Sequence, residues 1–341
     1  MKPRPVSNPP NPWEATTVDW LGEPPPALPH VFADATREIL SRNDSPDIPF
    51  TYSVNPYRGC AHACAYCYAR PTHEYLGFGA GTDFDTRIVA KLRAPELLRR
   101  AFERPSWTGE PIAFSGNTDA WQPLEASLRL TRGCLEVCAE YRNPVLVTTK
   151  APLVERDVDL LSDLASHGAA SATVTLPFLD PARARALEPW VASPARRLET
   201  IARLAAAGIP VGVIVAPVIP GLNDEEIPRV LAAARQAGAT RAHWLLLRLP
   251  GPVKAVFEER LRAGIPERAE RVLHRIRETR DGRLSDARFG VRGRGEGEYA
   301  RTIAALFDAA ASRLGFEGGA HAAPSPFRRP RAQMTLFPVG C

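Results

Sequence analysis

From about residue 48 onward, short apolar runs rich in β-branched residues alternate with amphipathic stretches of helical period. Six of these runs predict strands, at residues 50–54, 111–115, 145–149, 172–176, 211–216 and 242–247. Helical stretches lie between them, at residues 94–104, 124–141, 155–168, 194–208 and 225–238, and the last three end in Gly, as helix C-caps commonly do. Strands that are each followed by a helix form a parallel sheet with right-handed crossovers. The sequence therefore predicts an α/β fold whose sheet, with six such units in series, curls into a partial barrel.

Composition divides the chain into four segments. Residues 1–47 form a Pro-rich N-terminal arm with one short helical candidate at 33–43, and residues 48–250 hold the barrel. Residues 251–316 predict a charged, mainly helical C-terminal extension, and residues 317–341 predict a disordered tail. Residues 83–92 predict one extra strand, and a Gly/Arg loop at residues 288–300 interrupts the extension.

The net charge of +5 and the pI near 9.0 invite a nucleic-acid interpretation. That interpretation is weakened because the chain has only four lysines and draws nearly all of its positive charge from arginine. No apolar run approaches the roughly 18 residues of a membrane helix, and the first twenty residues lack the apolar stretch of a secretory signal. We therefore expect a cytoplasmic protein without a membrane partner, in a compartment that keeps thiols reduced.

Three of the six cysteines lie within eight residues, in the pattern C-x3-C-x2-C formed by Cys60, Cys64 and Cys67. They directly follow the first predicted strand, and ligands in parallel α/β folds bind at the carboxyl ends of strands. Gly59 allows the chain to turn just before the first cysteine. In a reducing compartment, cysteines clustered in this way indicate a metal site rather than a disulfide.

A zinc site and an iron–sulfur cluster make different demands on the ligands. A structural zinc site needs four ligands, and no second cysteine pair has suitable spacing, since Cys134 and Cys138 lie far along the chain. A [4Fe–4S] cube is held by Cys thiolates, and three protein ligands leave one iron open to a substrate or cofactor. The pattern therefore favours a cluster, and a metal-stabilised nucleic-acid-binding protein without catalysis, which would hold zinc rather than iron, is the alternative.

The motif with Tyr66 just before its last cysteine resembles the radical S-adenosylmethionine (SAM) superfamily. The wider segments "NPYRGCAHACAYCYARPTHEYLG", "TDAWQPLE", "LVTTKAPLVERDVDLL" and "PVIPGLND" resemble its branch around spore photoproduct lyase, over roughly residues 45 to 315. The resemblance implies a partial (βα)6 barrel of the radical SAM type. It also implies that SAM chelates the open iron and that one electron from the reduced cluster cleaves it, giving methionine and a 5′-deoxyadenosyl radical.

The resemblance further nominates residues that contact SAM. In this family, the loop after the second strand holds the amino group of SAM. Lys150 matches a lysine of the photoproduct-lyase branch whose positive charge suits the carboxylate of SAM. Thr175 fits a position that contacts the ribose or carboxylate, and Tyr66 is placed to pack on the adenine. Each residue also has an ordinary structural explanation, as a helix N-cap, a strand-end charge or a core position. The nominated positions are Tyr66, Ser115, Gly116, Asn117, Thr118, Asp119, Lys150, Thr175, Val215, Pro217 and Val218.

The substrate and its hydrogen donor are less constrained. Spore photoproduct lyase returns hydrogen through a cysteine on the loop after its second strand, and residues 112–120 of this chain contain none. Tyr299 is a weak candidate for a catalytic hydrogen donor, and the roles of Cys134, Cys138 and Cys341 are open. The sequence thus predicts a radical SAM enzyme that draws electrons from a flavodoxin- or ferredoxin-type donor, with nucleic acid among its candidate substrates.

Overall fold

The computed structural model describes residues 30–317 and 324–330. The first 29 residues of the predicted arm, residues 318–323 and residues 331–341 with Cys341 lie outside the described residues. Within the described chain the strands are β1 (His30–Ala33), β2 (Leu40–Arg42), β3 (Tyr52–Val54), β4 (Tyr57–Arg58), β5 (Arg87–Ala90), β6 (Ile112–Phe114), β7 (Val145–Thr149), β8 (Ala170–Thr175), β9 (Val211–Val218) and β10 (Arg241–Leu246).

Six of these strands form the predicted parallel sheet. The order in the large sheet is β10-β9-β8-β7-β6-β3-β2, and every neighbouring pair from β3 to β10 is parallel. Within this sheet, the parallel strands lie side by side in the same order as they follow one another along the chain. This is the strand order of a singly wound barrel. β10 and β2 lie at the two ends of the order and do not pair, so the sheet is a partial barrel, as predicted.

Helices connect these strands. They are α1 (Thr82–Thr86), α2 (Ala94–Glu103), α3 (Glu125–Leu128), α4 (Leu130–Tyr141), α5 (Val158–Ser166), α6 (Pro181–Leu187), α7 (Pro194–Ala206), α8 (Ile227–Gln236), α9 (Val253–Gly264), α10 (Ala269–Glu278) and α11 (Gly297–Arg313). The helix predicted at 124–141 is divided into α3 and α4 at Arg129, whose φ is +53°. None of the described helices combines the length and apolar character that a membrane span needs.

Two apolar cores hold the helices in place. The larger core joins the outer face of the sheet to α2, α4, α5, α7, α8 and α11. The second core joins α6, α9 and α10 to the cysteine loop, through Cys64, Ala65 and Tyr66. The helices α9 and α10 of the predicted extension therefore support the loop that carries the cysteines.

The helix predicted at residues 33–43 is wrong, because this stretch is an irregular connection that runs from the last residue of β1 into β2. Leu40 of β2 pairs with Val54 of β3 in antiparallel register, and β1 pairs in parallel with β5. β5 is the extra strand that the sequence predicts at 83–92, and it lies in a separate small sheet of order β1-β5-β4. Pairing with distant strands here outweighs the local helix propensity of the segment.

Residues 324–330, within the predicted disordered tail, lie against the body of the protein. The ring centroid of Phe327 is 5.9 Å from that of Phe102 and 6.1 Å from that of Tyr141. Arg329 donates to the carbonyl oxygens of Phe102, at 3.1 Å, and of Trp107, at 2.8 Å. The prediction of disorder is wrong for this segment because the Phe327 ring, which composition does not identify as an anchor, packs against Phe102 and Tyr141.

We predict that Phe327→Ala lowers the free energy of unfolding by about 2 kcal/mol, less than the 3–5 kcal/mol of a fully buried Phe because the ring is half-buried. Chemical denaturation checks this value. Phe289→Ala is the matched control, since that ring is 58% exposed and its loss should change stability by less than about 0.5 kcal/mol. Equal stability of wild type and Phe327→Ala would contradict the packing of this segment.

Candidate metal centre and cofactor site

A sharp turn after β4 begins the cysteine loop. Gly59 has a φ of +79°, and a Cβ at this position would lie 2.8 Å from His73 Cε1 and 2.9 Å from the carbonyl oxygen of Phe84. The backbone N–H of Cys60 donates to that same oxygen at 2.9 Å. Only glycine fits both the left-handed conformation and the close approach, as the sequence suggests.

Arg70 holds the loop from inside. Its side chain is fully buried and donates twice to the carbonyl oxygen of Cys64, at 2.9 and 3.1 Å. It also donates to the carbonyl oxygens of Ala80 and Gly81, both at 2.9 Å, and to Asp85 Oδ1 at 2.8 Å. Sequence reasoning did not identify this residue, because its partners lie up to fifteen residues away and nothing in the local pattern marks it as buried.

The three cysteines lie on one loop in an apolar setting. Cys60 and Cys64 are buried and Cys67 is half-buried, and Cys67 packs against the apolar groups of both other cysteines. Burial raises the pKa of all three thiols. No three His, Cys, Asp or Glu side chains of residues 30–317 and 324–330 converge as they would around one metal ion. Since a cube offers each thiolate its own iron, this set of three soft donors fits an iron–sulfur cluster.

Asp119 joins three parts of the site. Its carboxylate accepts hydrogen bonds from Thr149 Oγ1 at 2.8 Å, from the backbone N–H of Lys150 at 2.8 Å and from that of Trp121 at 2.9 Å. His62 Nδ1, from the cysteine loop, lies 3.5 Å from Asp119 Oδ2. The carboxylate of Asp119 is thus occupied in tying the end of β7 to the loop after β6.

Two more nominated side chains also fix this loop. Ser115 Oγ accepts from the backbone N–H of Ala120 at 2.9 Å, and Thr118 Oγ1 donates to the carbonyl oxygen of Tyr57 at 2.8 Å. Ser115 has a φ of +68°, so the chain turns sharply where β6 ends. These contacts give the loop a defined shape and leave its other polar groups available.

Gly116 and Asn117 present the part of the loop that could contact a ligand. A Cβ on Gly116 would lie 2.9 Å from Ser53 Cβ, so the position needs glycine, and its carbonyl oxygen accepts from the Tyr68 hydroxyl at 2.8 Å. The Asn117 backbone N–H donates to Asn55 Oδ1 at 3.1 Å. The Asn117 side-chain amide has no hydrogen-bond partner within the described residues, which makes it the open polar group of this loop.

Lys150 and Tyr66 are neighbours. Lys150 directly follows β7, and its Nζ lies 5.9 Å from the centroid of the Tyr66 ring. Lys150 is half-buried and acts electrostatically on Cys64 and Cys67, whose thiolate forms it favours. The structure therefore places the lysine that follows the third barrel strand beside the cysteine loop.

The remaining nominated positions differ in their access to the site. Thr175 ends β8 and is buried, and its carbonyl oxygen accepts from Arg197 Nη1 at 3.1 Å. Val215 and Val218 are fully buried in the larger core, so only their backbone groups are available to a ligand in this arrangement. Pro217 is half-buried. Strand side chains alternate between faces, and sequence alone did not show which face of β9 meets the helices.

A buried ion pair that sequence reasoning missed supports Tyr66. Glu188 accepts from the Tyr66 hydroxyl with one carboxylate oxygen and from the Arg197 guanidinium with the other. The exposed fractions of the Arg197 and Glu188 side chains are 1% and 0%. Since Arg197 also reaches Thr175, this pair connects the cysteine loop to the end of β8. Arg196 and Arg197 are neighbours in α7, and the sequence does not show that Arg197 is the buried one.

The other candidates lie away from these contacts. The Tyr299 hydroxyl donates to Asp224, and the guanidinium of Arg275 lies 4.6 Å from the Tyr299 ring centroid. Cys134 and Cys138 are fully buried in the larger core, where they act as small apolar side chains. Within the described residues, neither Tyr299 nor the pair of Cys134 and Cys138 contacts the cysteine loop.

Comparison with known families agrees with this geometry. The family model of the radical SAM superfamily matches residues 54–234, which is 181 of the 341 residues of the chain. Uncharacterized proteins of Mycobacterium tuberculosis and Mycobacterium bovis are 40% identical over 226 residues, which cover 66% of this chain and 66% of each relative. An uncharacterized protein of Methanocaldococcus jannaschii is 29% identical over 51% of this chain and 63% of its own length. The chain thus spans slightly less than two thirds of these curated relatives.

Solved structures of spore photoproduct lyase share the fold. A mutant with dinucleoside spore photoproduct superposes with a TM-score of 0.58 at 14% identity, over 83% of this chain and 78% of that one. A mutant with bound SAM and dinucleoside spore photoproduct superposes with a TM-score of 0.56 at 16% identity and the same coverage. At these identities the similarity concerns the fold alone.

We predict that Arg197→Met lowers the free energy of unfolding by about 3–5 kcal/mol, because it leaves the Glu188 carboxylate buried without its partner. Urea denaturation measures the change. Arg196→Met is the matched control, since Arg196 pairs with Glu155 at a half-exposed position and should cost about 1 kcal/mol or less. If both variants lose the same stability, the buried pair does not have the supporting role described here.

Proposed function

This chain belongs to the radical SAM superfamily and is an enzyme with radical chemistry, and we propose that it binds a [4Fe–4S] cluster through Cys60, Cys64 and Cys67. S-adenosylmethionine is its second cofactor. When both are bound, one-electron reductive cleavage of SAM supplies a 5′-deoxyadenosyl radical, and that radical abstracts hydrogen from the substrate. The electron comes from a flavodoxin- or ferredoxin-type donor in the cytoplasm.

The observation that carries this proposal is the position of the three thiols. They lie on one loop at the carboxyl end of the first barrel strand, in an apolar setting. A metal-stabilised nucleic-acid-binding protein built on zinc would need four ligands around one ion, and no three His, Cys, Asp or Glu side chains of residues 30–317 and 324–330 are arranged in that way. Three thiolates instead complete three corners of a cube and leave the fourth to a cofactor.

The chain's own residues then have distinct tasks in binding SAM. The Lys150 ammonium pairs with the carboxylate of SAM, and the Asn117 amide and nearby carbonyl oxygens receive its amino group. Asp119 and the pair of Glu188 and Arg197 touch no ligand in this scheme but hold those groups in place. The buried loop excludes water from the reacting atoms, which protects a reactive radical.

The substrate remains open within this proposal. Two solved structures of similar fold are of spore photoproduct lyase with dinucleoside spore photoproduct, so nucleic acid is one candidate class. The loop of residues 112–120 has no cysteine to return hydrogen to a repaired base. A substrate reaction other than thymine-dimer repair by that route is therefore the better expectation for this chain.

We predict that replacing Cys60, Cys64 and Cys67 together with alanine abolishes the brown absorbance near roughly 400 nm and the binding of about four irons per chain. The same variant should form no 5′-deoxyadenosine from SAM with dithionite under anaerobic conditions. Cys134→Ala with Cys138→Ala is the matched control, because these thiols are buried elsewhere in the core. Retained colour in the triple variant, or zinc in place of iron in anaerobically purified wild type, would refute the proposal.

We predict that Lys150→Gln weakens SAM binding to the reconstituted protein by about tenfold or more, the effect of losing one hydrogen bond to a charged group. Equilibrium binding of SAM measures this effect, and iron content shows that the cluster is retained. Lys254→Gln, at an exposed position of α9, is the control and should bind like wild type. Unchanged SAM affinity in Lys150→Gln would exclude the assigned carboxylate contact.

A further inference from the structure

The Gly/Arg loop lies along the exposed edge of β10. The backbone N–H of Leu246 donates to the carbonyl oxygen of Gly293 at 2.9 Å. Arg280 is fully buried and donates to the carbonyl oxygens of Leu247 and Val291, at 2.8 and 2.9 Å. A buried guanidinium thus binds backbone on both sides and fixes the loop at the carboxyl end of the last barrel strand.

The loop also reaches the opposite edge of the sheet. Asp47, between β2 and β3, accepts from the backbone N–H of Gly290 at 2.7 Å and forms an ion pair with Arg292. Arg292 donates to Ser45 Oγ as well. The charge of Arg292 is therefore balanced by a carboxylate, and the two ends of the partial barrel meet at this point.

Arg248 lies beside this junction, and its charge is not balanced by an ion pair of its own. It follows β10 by two residues and is half-buried, with its guanidinium carbon 5.7 Å from the ring centroid of Tyr68. Tyr68 directly follows Cys67 and donates its hydroxyl to Gly116. Across residues 30–317 and 324–330, no carboxylate lies within ion-pair distance of Arg248.

The local charge is positive. Burial and then the neighbouring Arg292 lower the pKa of the Arg248 guanidinium, which shows that the site disfavours an uncompensated cation. Burial also lowers the pKa of the neighbouring Arg280 guanidinium, and Arg248 adds to that effect. Two guanidinium groups, of Arg248 and Arg292, thus share one carboxylate, that of Asp47. The excess of positive charge suits an anion bound from outside.

We propose that Arg248 anchors a phosphate group carried by the substrate, at the rim of the barrel next to the cysteine loop. The inference rests on the proposed function for the chemistry of the adjoining site. A guanidinium binds phosphate through two parallel hydrogen bonds, and a phosphate monoester, with a charge near −2, matches a local excess of positive charge better than a single carboxylate does. Lys150, on the other side of the cysteine loop, is the partner assigned to the carboxylate of SAM.

Titration calorimetry of the full-length, cluster-reconstituted protein with inorganic phosphate tests the anchor. Arg248→Gln should bind phosphate about tenfold more weakly than wild type, the loss expected for one charge-assisted hydrogen bond. Arg248→Lys should lie between the two, because it keeps the charge but not the planar fork. Arg313→Gln, at an exposed position near the end of α11, is the matched control and should equal wild type. Wild-type affinity in Arg248→Gln would overturn the assignment.

Arginine labelling of the wild-type protein gives a second measurement that needs no variant. Phosphate should slow the reaction of Arg248 with phenylglyoxal, followed by peptide mass spectrometry, and succinate at equal ionic strength should slow it less. Protection that is equal in both anions, or that SAM alone provides, would overturn the phosphate anchor. A wild-type protein that binds phosphate at Arg248 but has no cluster and forms no 5′-deoxyadenosine would instead refute the proposed function and leave the anion site intact.

Discussion

Parallel pairing of the six barrel strands brings their carboxyl ends to one edge of the sheet, and the rest of the site depends on that edge. Phe114 pairs with Val147, and Thr149 with Val174, so the loops that follow β6, β7 and β8 start close together. Backbone groups at strand ends have no further ladder partner. Polar side chains must satisfy them, and the same side chains then decide which surface a ligand meets.

Two carboxylates, of Asp119 and Glu188, help to satisfy the backbone groups at strand ends in different ways. Asp119 accepts hydrogen bonds from the end of β7 and from its own loop. Glu188 is buried and acts through Arg197, which reaches the last carbonyl oxygen of β8. Burying these charges is favourable only because each has several hydrogen bonds. Their hydrogen bonds hold Tyr66, Lys150 and the neighbouring loop in place, as the proposed cofactor site requires, since catalytic geometry tolerates little displacement.

The sequence predicted the parts of the molecule that local pattern determines. All six barrel strands, the extra strand β5 and the three-cysteine loop follow from periodicity, turn residues and spacing, and the structure has each strand where it was predicted. The helix at 33–43 failed because its partners, β3 and β5, are distant in sequence. Arg70 and Glu188 were missed for the same reason, since their importance comes from burial and long-range contacts. Val215 and Val218 stay predictions as cofactor contacts, and they show a third limit, because alternation defines two faces of a strand but does not say which one meets the helices.

The open form of the barrel explains why its terminal segments bear on the site. β2 covers one end of the sheet by antiparallel pairing, and the Gly/Arg loop covers the other through Leu246 and Gly293. Asp47 and Arg292 then join the two ends, so the lateral opening is closed by an ion pair rather than by strand pairing. With both edges covered, the carboxyl-end rim, where Tyr68 is 45% exposed beside Arg248, is the side from which a substrate reaches the cysteine loop under the proposed function. The positive charge of that rim then acts on every such substrate, so that the proposed scheme allows selection among substrates there without any change in the cofactor site.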